Sequence, residues 1–586
     1  MNERTGNHGG HPAHEPPPGA HFILVPGAFT GGWVWEETAA HLTAAGAQAH
    51  AVTLVGPEGA RPGGPAPDLE AHIAAVVRAI DAVEETGTAG ATAEPAEGPA
   101  GSAPAGPGDA PGTEAAASTR APAPGIVLVG HGYGLHPALG AADRRPDRVA
   151  RLIALDTAPP QDGQPAWTTV PDQRVREELA GHAGAAPAGG GAGSRPATAS
   201  GAPGGVPGVP GGALPAPGSP AAWHRWGSTA SLPAAALERL TRDAAPQPLG
   251  TLLQPLRLTG AAAGIPTTGI LCTANGASVD LVQIQVDLGE PALQPLTAPG
   301  VRFLELPTGH WPMLSDPAGL ADVLLRAAAG EGRRLTPAGS QPPPHLRPFV
   351  LDVPEVPRER NETVDLYLPG GGGPHPAVLL VHGGPVPKSA RPAPRDWPAL
   401  TGYARLIAAH GAIGAVLDHR LHDLDGYPDA AEDIAAAVAR LRADPRVDGD
   451  RIALWFFSGG GLLTADWLSA PPPWLSCLAA NYPILAPLPN WGLDGDRFRP
   501  VAAVRGAGDL PLVVVRAGRE LPELAATVEE FLTAAAEHGA TVDVIDVPEG
   551  HHGFETADHH ADADRDALRD AVRSAVRTVV DHLTRP

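Results

Sequence analysis

The stretch RIALWFFSGGG (451–461), running on into LLTADWL, decides the fold. An apolar strand enters a glycine-rich turn and leaves it as a helical segment. Parallel α/β sheets place their chemistry on loops at the carboxyl ends of strands. A serine on such a strand–turn–helix elbow is held out as an exposed nucleophile. The turn is strained and crowded, so small residues are needed around it. Gly459, Gly460 and Gly461 supply them after Ser458, but Phe456 stands where the elbow pattern G-x-S-x-G has its first glycine.

The same alternation of short apolar strands and amphipathic helices extends outward along the chain. Strands are expected at 363–368, 377–381, 413–419, 451–456, 512–516 and 542–547, with helices near Leu400–Ala409, Tyr427–Ala443 and Leu521–His538. An earlier block repeats the order, with strands at 22–25, 47–54, 126–130, 149–156, 268–273 and 301–306 and helices at Trp33–Ala45, Leu69–Val83 and Pro317–Ala329. The expected fold class is therefore α/β, as two domains, each a mostly parallel sheet with helices on both faces. The blocks span about 21–330 and 346–586. Stretches dominated by Gly, Pro, Ala and Ser cannot build a core and separate or interrupt them: a tail to residue 20, inserts near 86–124 and 181–220, and a linker at 331–345.

A chain of 586 residues is too long for one core. Its net charge of −23 disfavours nucleic acid, which demands clustered Lys and Arg. Cys272 and Cys477 offer neither a disulfide framework nor zinc spacing. The N-terminus lacks the apolar region of a signal peptide, and no run reaches membrane-spanning length. The expectation is a cytoplasmic protein with a small-molecule substrate, no nucleic acid, no membrane and no cofactor. Contact between the two domains is expected, and self-association stays open.

Around Ser458 two further features converge. HGG (382–384) directly follows the strand AVLLV, and resemblance to α/β-hydrolases, which place oxyanion-hole N–H groups there, implies that role for Gly383 and Gly384, with Gly459. Pro385 removes the N–H a fourth loop residue would offer. DVPEGHHGFE (546–555) places a histidine after the last strand; His552, followed by Gly-Phe, is preferred to His551 as general base. Glu520, beyond the strand LVVVR, is the expected acid, and Asp546 is the alternative. The order Ser…acid…His is that of a serine triad on this type of sheet.

These motifs, with DIAAAVARLRADPRVDGDRIALWFFSGGG, make residues 346–586 resemble the dienelactone-hydrolase and prolyl-oligopeptidase-like branch of α/β-hydrolases. The resemblance implies a serine hydrolase of acyl compounds. Residues 21–330 resemble the esterase and hydroxynitrile-lyase-like branch through FILVPGAFTGGWVWEETAAHLTAAGAQAHAVTLVG (22–56), IVLVGHGYGL (126–135) and LPTGHWPMLSDPAGLADVLL (306–325). There the elbow pattern G-H-S-x-G reads Gly130-His131-Gly132-Tyr133-Gly134, so Gly132 replaces the nucleophile. The oxyanion motif is Pro26-Gly27. Asn275 stands where an acid is expected, with Asp280 slightly further on, and His310 alone is kept. This block is expected to be degenerate, retained for folding, partner contact or shaping a pocket; residues 157–250 replace its cap.

Weaker signals are His8, His11, His14 and His21 near the start and His551, His552, His559 and His560 near the end. No ligand spacing matches a metal site, so no metal is expected. Trp33, Trp35, Trp223 and Trp226 serve core or pocket in the first block; Trp467, Trp474 and Trp491 lie near the second elbow. Besides ester hydrolysis, two other functions fit: a silent binding scaffold, and acyl transfer from the same acyl-enzyme.

Overall fold

The computed structural model describes residues 20–54, 56, 66–88, 125–185, 212–337, 342–489, 491–493, 497–558 and 565–584. The low-complexity tail, most of the two inserts, and His8, His11, His14, His559 and His560 lie outside the described residues.

Two separate large sheets form. The first has six parallel strands in the order Gln48–Ala51, His21–Val25, Ile126–His131, Val149–Leu155, Thr267–Cys272 and Val301–Leu306. The second has eight: Val542–Val547, Leu512–Ala517, Leu475–Asn481, Val447–Phe457, His375–Val381, Ile413–Leu417, Val364–Tyr367 and Arg358–Arg360. Six run parallel, and the last two add antiparallel at the edge.

Helices cover both faces of each sheet, and the strand sequences show why. Successive side chains of a strand point to opposite faces, so a strand buried on both sides must be apolar throughout. In the elbow strand of the second sheet, Ile452, Leu454 and Phe456 enter one core, while Ala453, Trp455 and Phe457 enter the other. In the first sheet, Val127 and Val129 face one core and Ile126 and Leu128 the other. The α/β reading thus holds. The strand Leu475–Asn481 (LSCLAAN) was not expected, and the helix Arg565–Thr584 closes the chain across the second sheet.

Within the stretch read as a linker, the backbones of Arg333 and Phe303 exchange two hydrogen bonds, and Leu335 is buried against Val279, Val286 and Phe303. Chain between the two sheets is therefore partly tied to the first. The region 157–250 is not an empty replacement for a cap. Its described part holds the helices Gln173–Ala185 and Ala234–Asp243, and contributes Thr168 and Trp226 to a cavity over the first sheet.

One buried histidine carries a stability prediction. His136, on the helix Leu135–Arg144, is fully buried, and among the described residues neither ring nitrogen has a partner. Burial lowers its pKa to about 4 from an ordinary 6.5. The folded state therefore binds fewer protons than the unfolded one, and stability is lost as pH falls from 6.5 toward about 4. His136→Leu is expected to stabilise the protein by about 1–2 kcal/mol at neutral pH, because an unsatisfied polar group leaves the core. It is also expected to remove about 2 kcal/mol of acid loss between pH 7 and pH 5. Urea midpoints at the two pH values check both. A variant less stable than wild type, with unchanged pH dependence, would contradict the account.

Candidate active site

Ser458 begins the 3₁₀ turn Ser458–Thr464 at the carboxyl end of the strand Val447–Phe457. Its φ is +50°, a left-handed conformation that a non-glycine residue adopts only when its surroundings impose it. The neighbours impose it by close backbone approach. A Cβ at Gly459 would fall 2.1 Å from the Gly384 carbonyl oxygen, and one at Gly383 would fall 2.7 Å from Cβ of Ser458. Both positions must therefore be glycine. Phe456 does not spoil the turn, because its ring is fully buried in the same core as Leu462 and Leu463.

The structure brings three of the expected residues together. Ser458 Oγ lies 2.7 Å from His552 Nε2, and His552 Nδ1 lies 2.8 Å from Glu520 Oε2. The other oxygen of Glu520 accepts from the N–H of Leu521 at 2.8 Å, which fixes the carboxylate. Glu520 is nearly buried and His552 is mostly covered. The alternatives lie elsewhere. His551 pairs with Asp558 at 2.9 Å, and Asp546 pairs with Arg516 at 2.7 Å on the surface.

The support beneath these residues was not foreseen. Tyr427 donates to the Gly459 carbonyl at 2.9 Å. His382 and His419 stack 3.6 Å apart under the HGG loop, and burial keeps both imidazoles neutral, His419 at about 4. His382 Nδ1 sits 2.5 Å from the Gly383 carbonyl and His419 Nε2 lies 3.0 Å from that of His382, so each neutral ring donates one proton to pin the loop. Tyr482, at φ +33°, lays its ring 4.8 Å from that of His552. Behind it Glu555 is fully buried, where burial raises its carboxyl pKa while Tyr403 and Asn481 each donate to it at 2.8 Å.

A cavity of about 240 Å³ opens on Ser458 and His552. One of its walls comes from the first sheet's own helices. Leu281, Ile284 and Leu288, on or next to the helix Val279–Asp287, face Trp397, Tyr482 and Trp491 across it. Ser278 Oγ, next to this wall's helix, donates to Glu523 at 2.5 Å, and elsewhere Arg176 pairs with Asp425 at 2.6 Å, so both contacts tie the two halves together.

At the first sheet the expectation needs correction. Gly132 does occupy the elbow, again at φ +50°. Gly130 is obligatory there, since a Cβ would fall 2.5 Å from Cα of Leu135. Yet His310 is not left alone. Its Nδ1 lies 2.6 Å from Oδ2 of Asp156, which ends the strand next to the elbow strand and turns back at φ +50°. Asn275 is no failed acid. Its Nδ2 donates to that same Asp156 oxygen and holds it in place. Asp280 instead pairs with Arg333 on the surface. The acid sits one strand earlier in the sheet than expected. Trp35 and Trp223 are core residues, whereas Trp226 lines the cavity near His310.

Among the described residues no group of three or more His, Cys, Asp or Glu could hold a metal ion, and no described helix is long and apolar enough to cross a membrane.

Two elbow turns at the ends of parallel strands, each facing a histidine–carboxylate pair, define the class. Comparison with protein families matches residues 22–323 to the alpha/beta hydrolase family, and the chain belongs to it. The matched region is the one whose elbow carries Gly132. A curated relative, the carbendazim hydrolyzing esterase of Nocardioides sp. (strain SG-4G), is 28% identical over 153 residues, 26% of this chain and 48% of that protein. The chain thus spans about half the length of that relative. The carboxylesterase EstE1 from a metagenomic library shares 20% identity over 40% of this chain and 92% of its own, at a TM-score of 0.33. A thermostable esterase from Pseudomonas putida ECU1011 shares 19% over 40% and 84%, at 0.32. Nothing further rests on structural similarities of this size.

Proposed function

We propose that this protein is a serine hydrolase of carboxylic esters or related acyl compounds, working through an acyl-enzyme on Ser458. The observation that carries the reading is the unbroken chain Ser458–His552–Glu520, at 2.7 and 2.8 Å. Ser458 Oγ attacks the carbonyl carbon while His552 Nε2 takes its proton, and Glu520 holds the imidazole and stabilises its cationic form. The N–H groups of Gly383, Gly384 and Gly459 are the donors assigned to the developing oxyanion. His552 returns the proton to the leaving alcohol. Water, activated by the same nitrogen, then releases the acid. The esterase relative in Nocardioides supports ester chemistry.

In this reading the halves divide the work. The second sheet carries the triad and the first supplies the wall formed by Leu281, Ile284 and Leu288. Gly132 has no side-chain nucleophile, so no acyl-enzyme forms on the first sheet.

A fluorophosphonate probe is expected to label the wild-type chain stoichiometrically and to leave Ser458→Ala unlabelled. Unlabelled, folded wild type would mean a silent scaffold, and label surviving Ser458→Ala would place the nucleophile elsewhere.

A further inference from the structure

We propose that the first sheet carries a second, non-covalent hydrolytic site, in which Asp156 and His310 act as a general base on water against a small carboxylic ester. Gly132 leaves the triad without its nucleophile, but the remaining pair is assembled with its own supports. Asp156 is held by the N–H of Cys272 at 3.1 Å and by Asn275 Nδ2, and it meets His310 Nδ1 at 2.6 Å. His310 is fixed from three sides. Its backbone N–H donates to Ser228 at 3.1 Å, its carbonyl accepts from His131 Nε2 at 2.8 Å, and the backbone at Gly227 packs so closely on its ring that a Cβ there would fall 2.2 Å away. Burial and the neighbouring His310 keep His131 neutral, so it adds no second charge when His310 takes up a proton.

What Gly132 leaves open is the seat of a nucleophile. A Cβ placed there would be 3.4 Å from His310 Nε2, in ordinary contact with nothing displaced. The cavity of about 390 Å³ reaches both residues, so a water can stand where a serine hydroxyl would have stood. The elbow keeps the serine-type φ of +50° at Gly132, and Tyr133 and Ala28 line the same cavity, so the N–H of Tyr133 is the oxyanion donor assigned in this proposal.

The step balances without any further reactant. His310 Nε2 takes a proton from the water as its oxygen bonds to the carbonyl carbon. The tetrahedral intermediate then collapses, its bond to the alkoxy oxygen breaks, and the departing alcohol recovers the proton from Nε2. One ester and one water give one acid and one alcohol, with no covalent bond to the protein.

The test uses the full chain carrying Ser458→Ala, with p-nitrophenyl acetate as probe, so it stands whether or not Ser458 is itself reactive. Residual hydrolysis is expected to show no burst, to slow in D₂O, and to fall at least 10-fold on adding His310→Gln or Asp156→Asn, with unfolding midpoints measured alongside. Equal rates with and without these changes would overturn the proposal. Should His310→Gln fail to fold, Gly132→Ser in the Ser458→Ala chain decides: fluorophosphonate labelling of the peptide containing position 132 supports a live base, and no labelling of a folded variant overturns it.

Discussion

Ser458→Ala lowers kcat for p-nitrophenyl acetate by about four to six orders of magnitude, with far less change in KM. The size follows from the unit the three residues form. Once Oγ is gone, His552 and Glu520 have no hydroxyl to activate, and what remains is the far slower attack by water. Alanine suits the site structurally: it keeps a Cβ at a position already held at φ +50°, and among the described residues the side-chain hydrogen bond removed is that to His552. Fold and unfolding midpoint are therefore expected to stay near wild type, which separates chemistry from stability. A drop below 10-fold would show that ester cleavage does not pass through this serine.

Ile284→Trp produces the second large effect, on substrate choice. Ile284 belongs to the first sheet's helix Val279–Asp287 but lines the cavity that opens on Ser458. An indole there is expected to fill space in the cavity of about 240 Å³ that Ile284 shares with Ser458 and His552. The value of kcat/KM for p-nitrophenyl hexanoate is expected to fall at least 10-fold, about 1.4 kcal/mol. That for the acetate should stay within about 3-fold, since one added contact near the acyl terminus is felt only by chains that reach it. An equal fall for both esters would show that the helix supports the fold and does not select the acyl chain.

Much of the fold was legible because strands buried on both faces must be apolar end to end, and residues 126–130, 377–381 and 452–456 are. The strand Leu475–Asn481 escaped because Ser, Cys, Ala and Asn give it weak β preference. Its role is set by neighbours on either side, not by its own residues. In the second half the order Ser458…Glu520…His552 could be read directly, since each residue follows a strand end. Asp156 also ends an apolar strand, VARLIALD, but the pattern expects an acid after the later strand 268–273, where Asn275 stands. A carboxylate closing the strand beside the elbow strand was the available signal. The wall formed by Leu281, Ile284 and Leu288 had no local signal at all. Those positions read as an ordinary apolar helix face, and only the docking of one half on the other gives them a cavity to line.

Rapid acid quench of the wild-type chain during p-nitrophenyl acetate turnover, followed by peptide mass analysis, tests the central claim most directly. The account predicts an acetyl group on the peptide containing Ser458, formed within the first turnover and absent from Ser458→Ala. An acetyl group on another residue, or steady turnover with no acetylated peptide, would contradict it.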